Sequence, residues 1–451
     1  VVLFHFDFRF FSGGYLGVDV FIVISGFLIT SFIFNRLKSN KFSFKEFLFR
    51  RAKRLLPSFF VVLSLSLFIS YLFFLPDDLV KFCKSLISAT FLSSNFYFWM
   101  NSGYWDETNT RPLLHTWSLS LEWQFYFIFS IFSILVWNIK KFKFQILNIL
   151  LFFLFFSFFL ALIFMDRSMS FFLLPFRLFE FLIGSFVYIV IDKKIIFIHK
   201  NKNLFSILGI FLIIISFIIF DSQSMIPGYV ALMPCIGTAI IIYLSNSIVH
   251  DFLKNKIFVY LGLISYSLYL YHWPILIFYS WINIVELNFL TKTLLIILSI
   301  VLSMLNYHSI EKPMKNKMKI DNFFKVSLML FLFFLILISH QIITNKGYPK
   351  RFSGQKNFLI DSISEKESLN RKKFLTQNID LKFDINKKHR ILILGDSNGD
   401  DFFLALKQNL NVNSFDIEYI KFDAWCFEKN LIIKYFLFFE RINKRNLTCL
   451  N

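Results

Sequence analysis

Cysteine is scarce in this chain, four residues in 451, and Cys83, Cys235, Cys426 and Cys449 include no CxxC pair. No zinc site is therefore expected. Acidic residues are also few, 29 against 48 Lys and Arg, giving a formal charge of +19. Such an excess suits nucleic-acid binding only where it forms one face. Here the basic residues fall in short blocks between apolar runs, and alternate blocks nearly lack them, so no nucleic-acid partner is expected. What the chain holds in excess is apolar surface: 56% hydrophobic residues, 20% aromatic, 67 of them Phe, and a mean hydropathy of +0.61. This is the composition of a membrane protein.

Runs long enough to span a bilayer occupy 1–11, 16–35, 57–75, 113–137, 145–165, 171–191, 204–220, 228–246, 257–279, 288–308 and 323–343. The first of these eleven opens on Val1 already apolar, as expected of a helix whose upstream half lies outside the sequence. A short or re-entrant segment over 86–100 is a further candidate. Loop 36–56 carries eight Lys or Arg against one Glu, whereas 12–15, 221–227 and 280–287 carry none. The positive-inside rule then puts the N-terminus in the cytoplasm, everything after 343 outside, and Trp99, Trp105, Trp117, Trp273 and Trp281 in an outer aromatic belt.

After residue 344 the chain turns polar, and "RILILGDSNGDDFFLALKQN" reads as strand, tight turn and helix, with Phe415 to Phe422 as a second strand. In that setting Ser397 is exposed beside backbone N–H groups able to hold an oxyanion. No Asp-x-x-His follows before Asn451, so the base of a Ser-His pair is not visible, and Asp400 or Asp401 reads equally as a helix N-terminal acid. Cys426 and Cys449 are both expected outside, where a disulfide is permitted. About a hundred residues are too few to cover an α/β sheet on both faces, so this domain is expected to continue beyond the sequence.

Ionisable residues inside spans each cost about 2.5 kcal/mol or more and mark function by default. They are His5, Asp19, His115, Glu122, Arg177, Glu180, His272, His308 and Glu311. Arg177 and Glu180 share a helix face and can pair, as a packing device or in catalysis. His115 and Glu122 also share a face two turns apart; a histidine beside a carboxylate suits proton removal from a hydroxyl. The block "RRAKRLLP" reads either as a topological anchor or as a site for a phosphorylated cytoplasmic donor.

Taken in order, "VVLFHF", "GGYLGVDVFIVISGFLIT", "FLFRRAKRLLP", "LSSNFYFWMNSGYWD", "PLLHTWSLSLEWQFYF", "FRLFEFLIGS", "LGLISYSLYLYHWPI" and "SIEKPMK" resemble the successive motifs of the acyltransferase 3 membrane acyltransferases. The tail resembles the SGNH-type domain fused to members that O-acetylate surface glycans such as lipopolysaccharide O-antigen or peptidoglycan. The implied fold is a polytopic all-α membrane domain, about ten transmembrane helices plus one linking helix, followed by a truncated α/β SGNH-like three-layer domain. Its boundaries are 1–320 for the membrane domain, 321–345 for the linking helix, 346–388 for a linker and 389–451 for the partial outer domain. Implied too are acetyl-CoA as donor and no metal, a surface or lipid-linked glycan acceptor, contact with membrane lipid, and the bacterial inner membrane as location.

By the same resemblance His5 is the essential first-helix histidine and general base, Arg51 and Arg54 the donor-side motif, and Glu122 the motif glutamate with His115 beside it. Tyr266 and His272 fall in the "SYSLYL-HWP" motif, Asp19, Arg177, Glu180 and Glu311 in others, and Ser397 is the outer nucleophile or acyl carrier. Three departures stand out. The family's arginine upstream of His5 lies before Val1, its common Glu-Glu is Glu122-Trp123, and Asn398 follows the GDS where fused members often have His. Whether a CoA thioester reaches a cavity shared by both faces or a Tyr or Ser relays the acyl group stays open. The rivals are a transporter of glycan or lipid intermediates, disfavoured because no inverted repeat is evident, and a membrane sensor that binds glycan without turnover.

Overall fold

The computed structural model describes residues 1–101, 111–139, 145–164, 167–195, 201–221, 224, 228–283, 287–316, 322–351, 389–395 and 415–421. It divides into two units, Val1–Phe352 and Ser353–Asn451. The first unit is helical throughout its described residues: α1 Val2–His5, α2 Gly17–Lys38, α3 Phe44–Phe73, α4 Pro76–Thr90, α5 Ser94–Asn101, α6 Thr116–Asn138, α7 Ile146–Ile163, α8 Arg167–Phe172, α9 Leu174–Asp192, α10 Lys202–Ile219, α11 Tyr229–Tyr243, α12 Ile248–Leu253, α13 Lys256–Ile282, α14 Phe289–Asn306, α15 Lys312–Asn316 and α16 Asn322–Thr344. Among the described residues nine helices are long and apolar enough to cross a membrane: α2, α3, α6, α7, α9, α10, α13, α16, and α14 together with the turn after it.

Two of the eleven expected runs form helices shorter than a full span. Run 1–11, expected as a truncated span, holds the single turn of α1, after which Asp7 takes a left-handed φ of 53° and the chain folds into a short turn at Arg9–Phe11. Run 228–246 yields the 15-residue α11, which starts after Gly228 at φ 126° and contains Pro234. The candidate segment 86–100 splits between α4, with Pro76 in its first turn, and α5. Elsewhere the helix starts are conventional. Ser43 accepts a hydrogen bond from the Glu46 N–H (3.4 Å) and Asn288 from that of Thr291 (2.8 Å), each satisfying a first-turn donor.

The tightest helix pair is α2 against α9. A Cβ on Gly26 would lie 2.0 Å from the Phe181 carbonyl oxygen, and one on Gly184 2.0 Å from that of Val23. Thr30 Oγ1 donates to Ser185 Oγ (2.7 Å) across the same seam. Small residues that let backbones touch, with hydroxyls bridging them, are how helices associate where lipid removes the hydrophobic incentive. Gly26→Ala is therefore expected to lower the unfolding temperature in detergent clearly. Gly262→Ala, where a Cβ meets nothing within 4 Å, should leave it within about a degree or raise it slightly, since alanine is the better helix former.

The second unit contributes two described strands, β1 His389–Gly395 and β2 Phe415–Lys421, paired in parallel with His389 opposite Phe415. The turn carrying Ser397, the helix expected after it, and Cys426 and Cys449 lie outside the described residues.

Candidate active site

α1 brings His5 against the middle of α13. His5 Nδ1 lies 2.9 Å from His272 Nε2, and the two rings lie edge to edge, with 5.1 Å between centroids and 5° between planes. Trp273 closes edge-on at 4.5 Å. The turn after His5 is pinned by Lys292, whose Nζ donates to the Asp7 carbonyl (2.9 Å) and to Asp7 Oδ2 (3.0 Å). Trp273 is held in turn by its Nε1–H, which donates to the Arg111 carbonyl at 2.9 Å.

His115, the residue before α6, completes a histidine cluster, with its ring centroid 6.0 Å from that of His272 and 5.4 Å from that of Tyr269. Pro274 has no N–H and so releases the Leu270 carbonyl one turn back. That carbonyl and Pro112's approach the His115 ring. Even so, neither His115 ring nitrogen meets a partner at hydrogen-bonding geometry among the described residues, although the side chain is 2% exposed. The rings of His5, His115 and Tyr269, with Tyr15, Val18, Trp117, Phe171 and Arg177, line a narrow cavity of about 10 Å³. Such a space fits one water or one hydroxyl group.

The spacing of α13 carries this cluster inward. Tyr266, Tyr269 and His272 recur every three residues on one face. Tyr269 donates to the His115 carbonyl (2.7 Å) and contacts Ser118 Oγ at 2.7 Å, while Tyr266 donates to the Leu55 carbonyl of α3 at 2.8 Å. Six residues of helix cover about 9 Å. One end of the stripe is therefore the histidine cluster and the other the arginine segment of α3.

At that second end, Arg51 and Arg54 of α3 and Arg36 of α2 line a cavity of about 520 Å³ together with Leu28, Ser31, Phe32, Asn35 and Ser39. Its size is that of a small-molecule or cofactor pocket. The Arg51 guanidinium sits 5.3 Å from the Tyr126 ring, the Tyr126 hydroxyl donates to Glu122 Oε1, and Ser25 Oγ donates to the same oxygen at 2.8 Å. Arg54 is close enough to act electrostatically on both Glu122 and Glu311. Glu311 ends a turn of π-helix at Tyr307–Glu311, a distortion frequent at functional sites, and accepts from Ser267 Oγ at 3.1 Å.

The structure thus separates two residues that sequence spacing puts on one face. Glu122 bonds Ser25 and Tyr126 on the arginine side, whereas His115 joins the histidines two turns away. Asp19, Arg177 and Glu180 do come together. Arg177 Nη1 donates to Asp19 Oδ1 and to Glu180 Oε1 (2.7 Å), its Nε to the Phe171 carbonyl (3.2 Å), and its guanidinium lies 5.4 Å from the Trp117 ring. Trp117 and Trp273, expected in an interfacial belt, are instead buried in the site. His308 stands apart, 3.2 Å from the Tyr260 hydroxyl. Among the described residues no group of three or more His, Cys, Asp and Glu side chains is arranged to hold a metal ion.

A multi-pass helical membrane protein with a buried histidine cluster and an arginine-lined cavity is the class that this geometry defines. Over residues 1–308 the chain matches the family model described as an acyltransferase domain, and it belongs to that family. It is 36% identical over 242 residues to an uncharacterised protein of Haemophilus influenzae, covering 51% of this chain and 98% of that one. It is 29% identical over 338 residues to the O-acetyltransferase OatA of Staphylococcus aureus, covering 70% of this chain and 55% of the relative, so it spans about half of that protein's length. No solved structure matches it significantly.

Proposed function

We propose that this acyltransferase moves an acetyl group from cytoplasmic acetyl-CoA to a hydroxyl of a surface or lipid-linked glycan on the outer side of the bacterial inner membrane. The observation that carries this reading is the α13 stripe, which runs about 9 Å from Tyr266, bonded to α3 beside Arg54 of the arginine-lined cavity, to His272 of the histidine cluster. Arg36, Arg51 and Arg54 bind the phosphates of the donor, for which the guanidinium fork is suited. The thioester lies along Tyr266 and Tyr269 toward His5. His5 takes the proton of the acceptor hydroxyl, and the hydroxyl oxygen attacks the thioester carbonyl. His115, whose ring nitrogens meet no partner at hydrogen-bonding geometry among the described residues, donates to the oxyanion. Collapse breaks the C–S bond, and the CoA thiolate leaves with the proton from His5.

The alternation of basic loops supports this sidedness, with the outer domain and Ser397 beyond the membrane. In a relay through Ser397 its hydroxyl is the first acceptor, and the glycan oxygen then attacks the seryl ester, whose C–O bond breaks as the proton passes back to Ser397. The deciding assay is ester-linked acetate on surface glycan from cells lacking the protein and complemented with wild type or with Ser397→Ala. Restoration by wild type supports the reading, and the Ser397 result shows whether the outer domain joins the relay. Acetate unchanged in the deletion strain would sink it. In the purified enzyme, Arg51→Ala and Arg54→Ala are each expected to raise KM for acetyl-CoA about tenfold, with a smaller effect on kcat. An unchanged KM in both would remove the arginine cavity from donor binding.

A further inference from the structure

The hydrogen bonds around His272 fix which nitrogen of His5 carries a proton, and we propose that His272 is the positioning residue that sets the His5 tautomer. His272 Nδ1 lies 3.0 Å from the Leu268 carbonyl, which can only accept, so Nδ1 bears the hydrogen. In a neutral ring His272 Nε2 is then an acceptor. His5 Nδ1, 2.9 Å from that nitrogen, must be the donor, and the lone pair of neutral His5 falls on Nε2. His5 lines the narrow cavity and His272 is not among its lining residues, so with Nδ1 turned to His272 the assignment leaves Nε2 as the basic nitrogen for a group in that cavity.

This chain of donors has a carbonyl at its end and no carboxylate. As His5 Nε2 gains a proton, the positive charge is shared with His272 through the Nδ1–H···Nε2 bond, and the His272 Nδ1–H strengthens its bond to Leu268. The 5° angle between the two ring planes keeps the bond within both rings, and the edge of Trp273 holds His5 in that orientation. The base role of His5 itself rests on the function proposed above; the tautomer assignment does not.

The test uses the full chain, labelled with ¹⁵N at histidine, in lipid nanodiscs. Two-bond ¹H–¹⁵N spectra report which ring nitrogen is protonated, with His5 assigned by its loss in His5→Gln. The expected wild-type state is Nδ1–H for both His5 and His272, and an Nε2–H signal at His5 would overturn the proposal without any variant. His272→Phe keeps the ring but removes the acceptor. It should move His5 to Nε2–H and lower kcat for acyl transfer about a hundredfold at unchanged donor KM, less than the roughly 10⁴-fold found where a carboxylate orients the base. His272→Gln supplies an amide oxygen for His5 and an N–H for Leu268, and should recover the tautomer and most of kcat. Equal losses in both variants with the His5 tautomer unmoved would reduce His272 to packing. Acyl transfer intact in His5→Gln, with the tautomer as expected, would leave this assignment standing and sink the function.

Discussion

Replacing His5 by alanine is expected to lower acyl transfer about a thousandfold while donor binding survives. The expectation follows from where the histidine sits. It is the cavity-lining imidazole whose orientation is fixed from two sides, by the 2.9 Å bond to His272 and by the edge of Trp273, while Lys292 holds its turn from behind. In the proposed role as base, His5 meets a cavity that admits about one hydroxyl and little bulk water. The arginine-lined cavity, proposed to bind the donor, does not have His5 among its lining residues. Initial rates and acetyl-CoA binding measured on the same purified variant separate the two effects. Loss of both together would mean that alanine disturbs the fold around α13. Retention of wild-type rate would mean that another group removes the proton.

Arg177→Met should be the most destabilising single change in the membrane unit. Arg177, Asp19 and Glu180 are 1%, 1% and 0% exposed, and a single guanidinium answers both carboxylates. Asp19 Oδ2 and Glu180 Oε2 have no hydrogen-bond partner among the described residues, so removing the arginine strands two buried acids at a seam where α2 and α9 touch backbone to backbone. Breaking a buried ion pair from one side costs about 3–5 kcal/mol. Low yield and a sharply lowered unfolding temperature in detergent are the readouts. Glu180→Gln should be much milder, because the remaining pair is balanced. Combining Arg177→Met with Asp19→Asn and Glu180→Gln should recover much of the loss. A single Arg177→Met variant as stable as wild type would show that the triad does not hold α2 to α9.

How much of this was legible in the residues depends on whether the deciding interaction is local. Apolar runs announced nine spans because length and composition alone define them. They overstated 228–246, where Gly228 at positive φ and Pro234 within α11 decide the outcome, and they do not announce the left-handed Asp7 just after α1. Arg177 and Glu180 were paired correctly by their i, i+3 spacing, but their partner Asp19 comes from α2 and no spacing announces it. His115 and Glu122 share a face by periodicity, yet each finds its partners on other helices, and these lie on opposite sides of the stripe. Tyr269 and Ser118 escaped notice, although Tyr269 stands midway in the three-residue rhythm between Tyr266 and His272. Arg36 was counted only toward topology, and the cavity that gathers it with Arg51 and Arg54 exists only once α2 and α3 are packed.

The central claim is transfer across the membrane between two differently faced ends of one site. Its most direct test places the full-length protein in sealed vesicles of known orientation, with acetyl-labelled acetyl-CoA on the side of the arginine cavity and a glycan acceptor only on the other. Label in alkali-labile ester on the enclosed glycan, absent with His5→Ala, is the predicted result. Consumption of acetyl-CoA with label only on acceptors supplied to its own side would contradict the account.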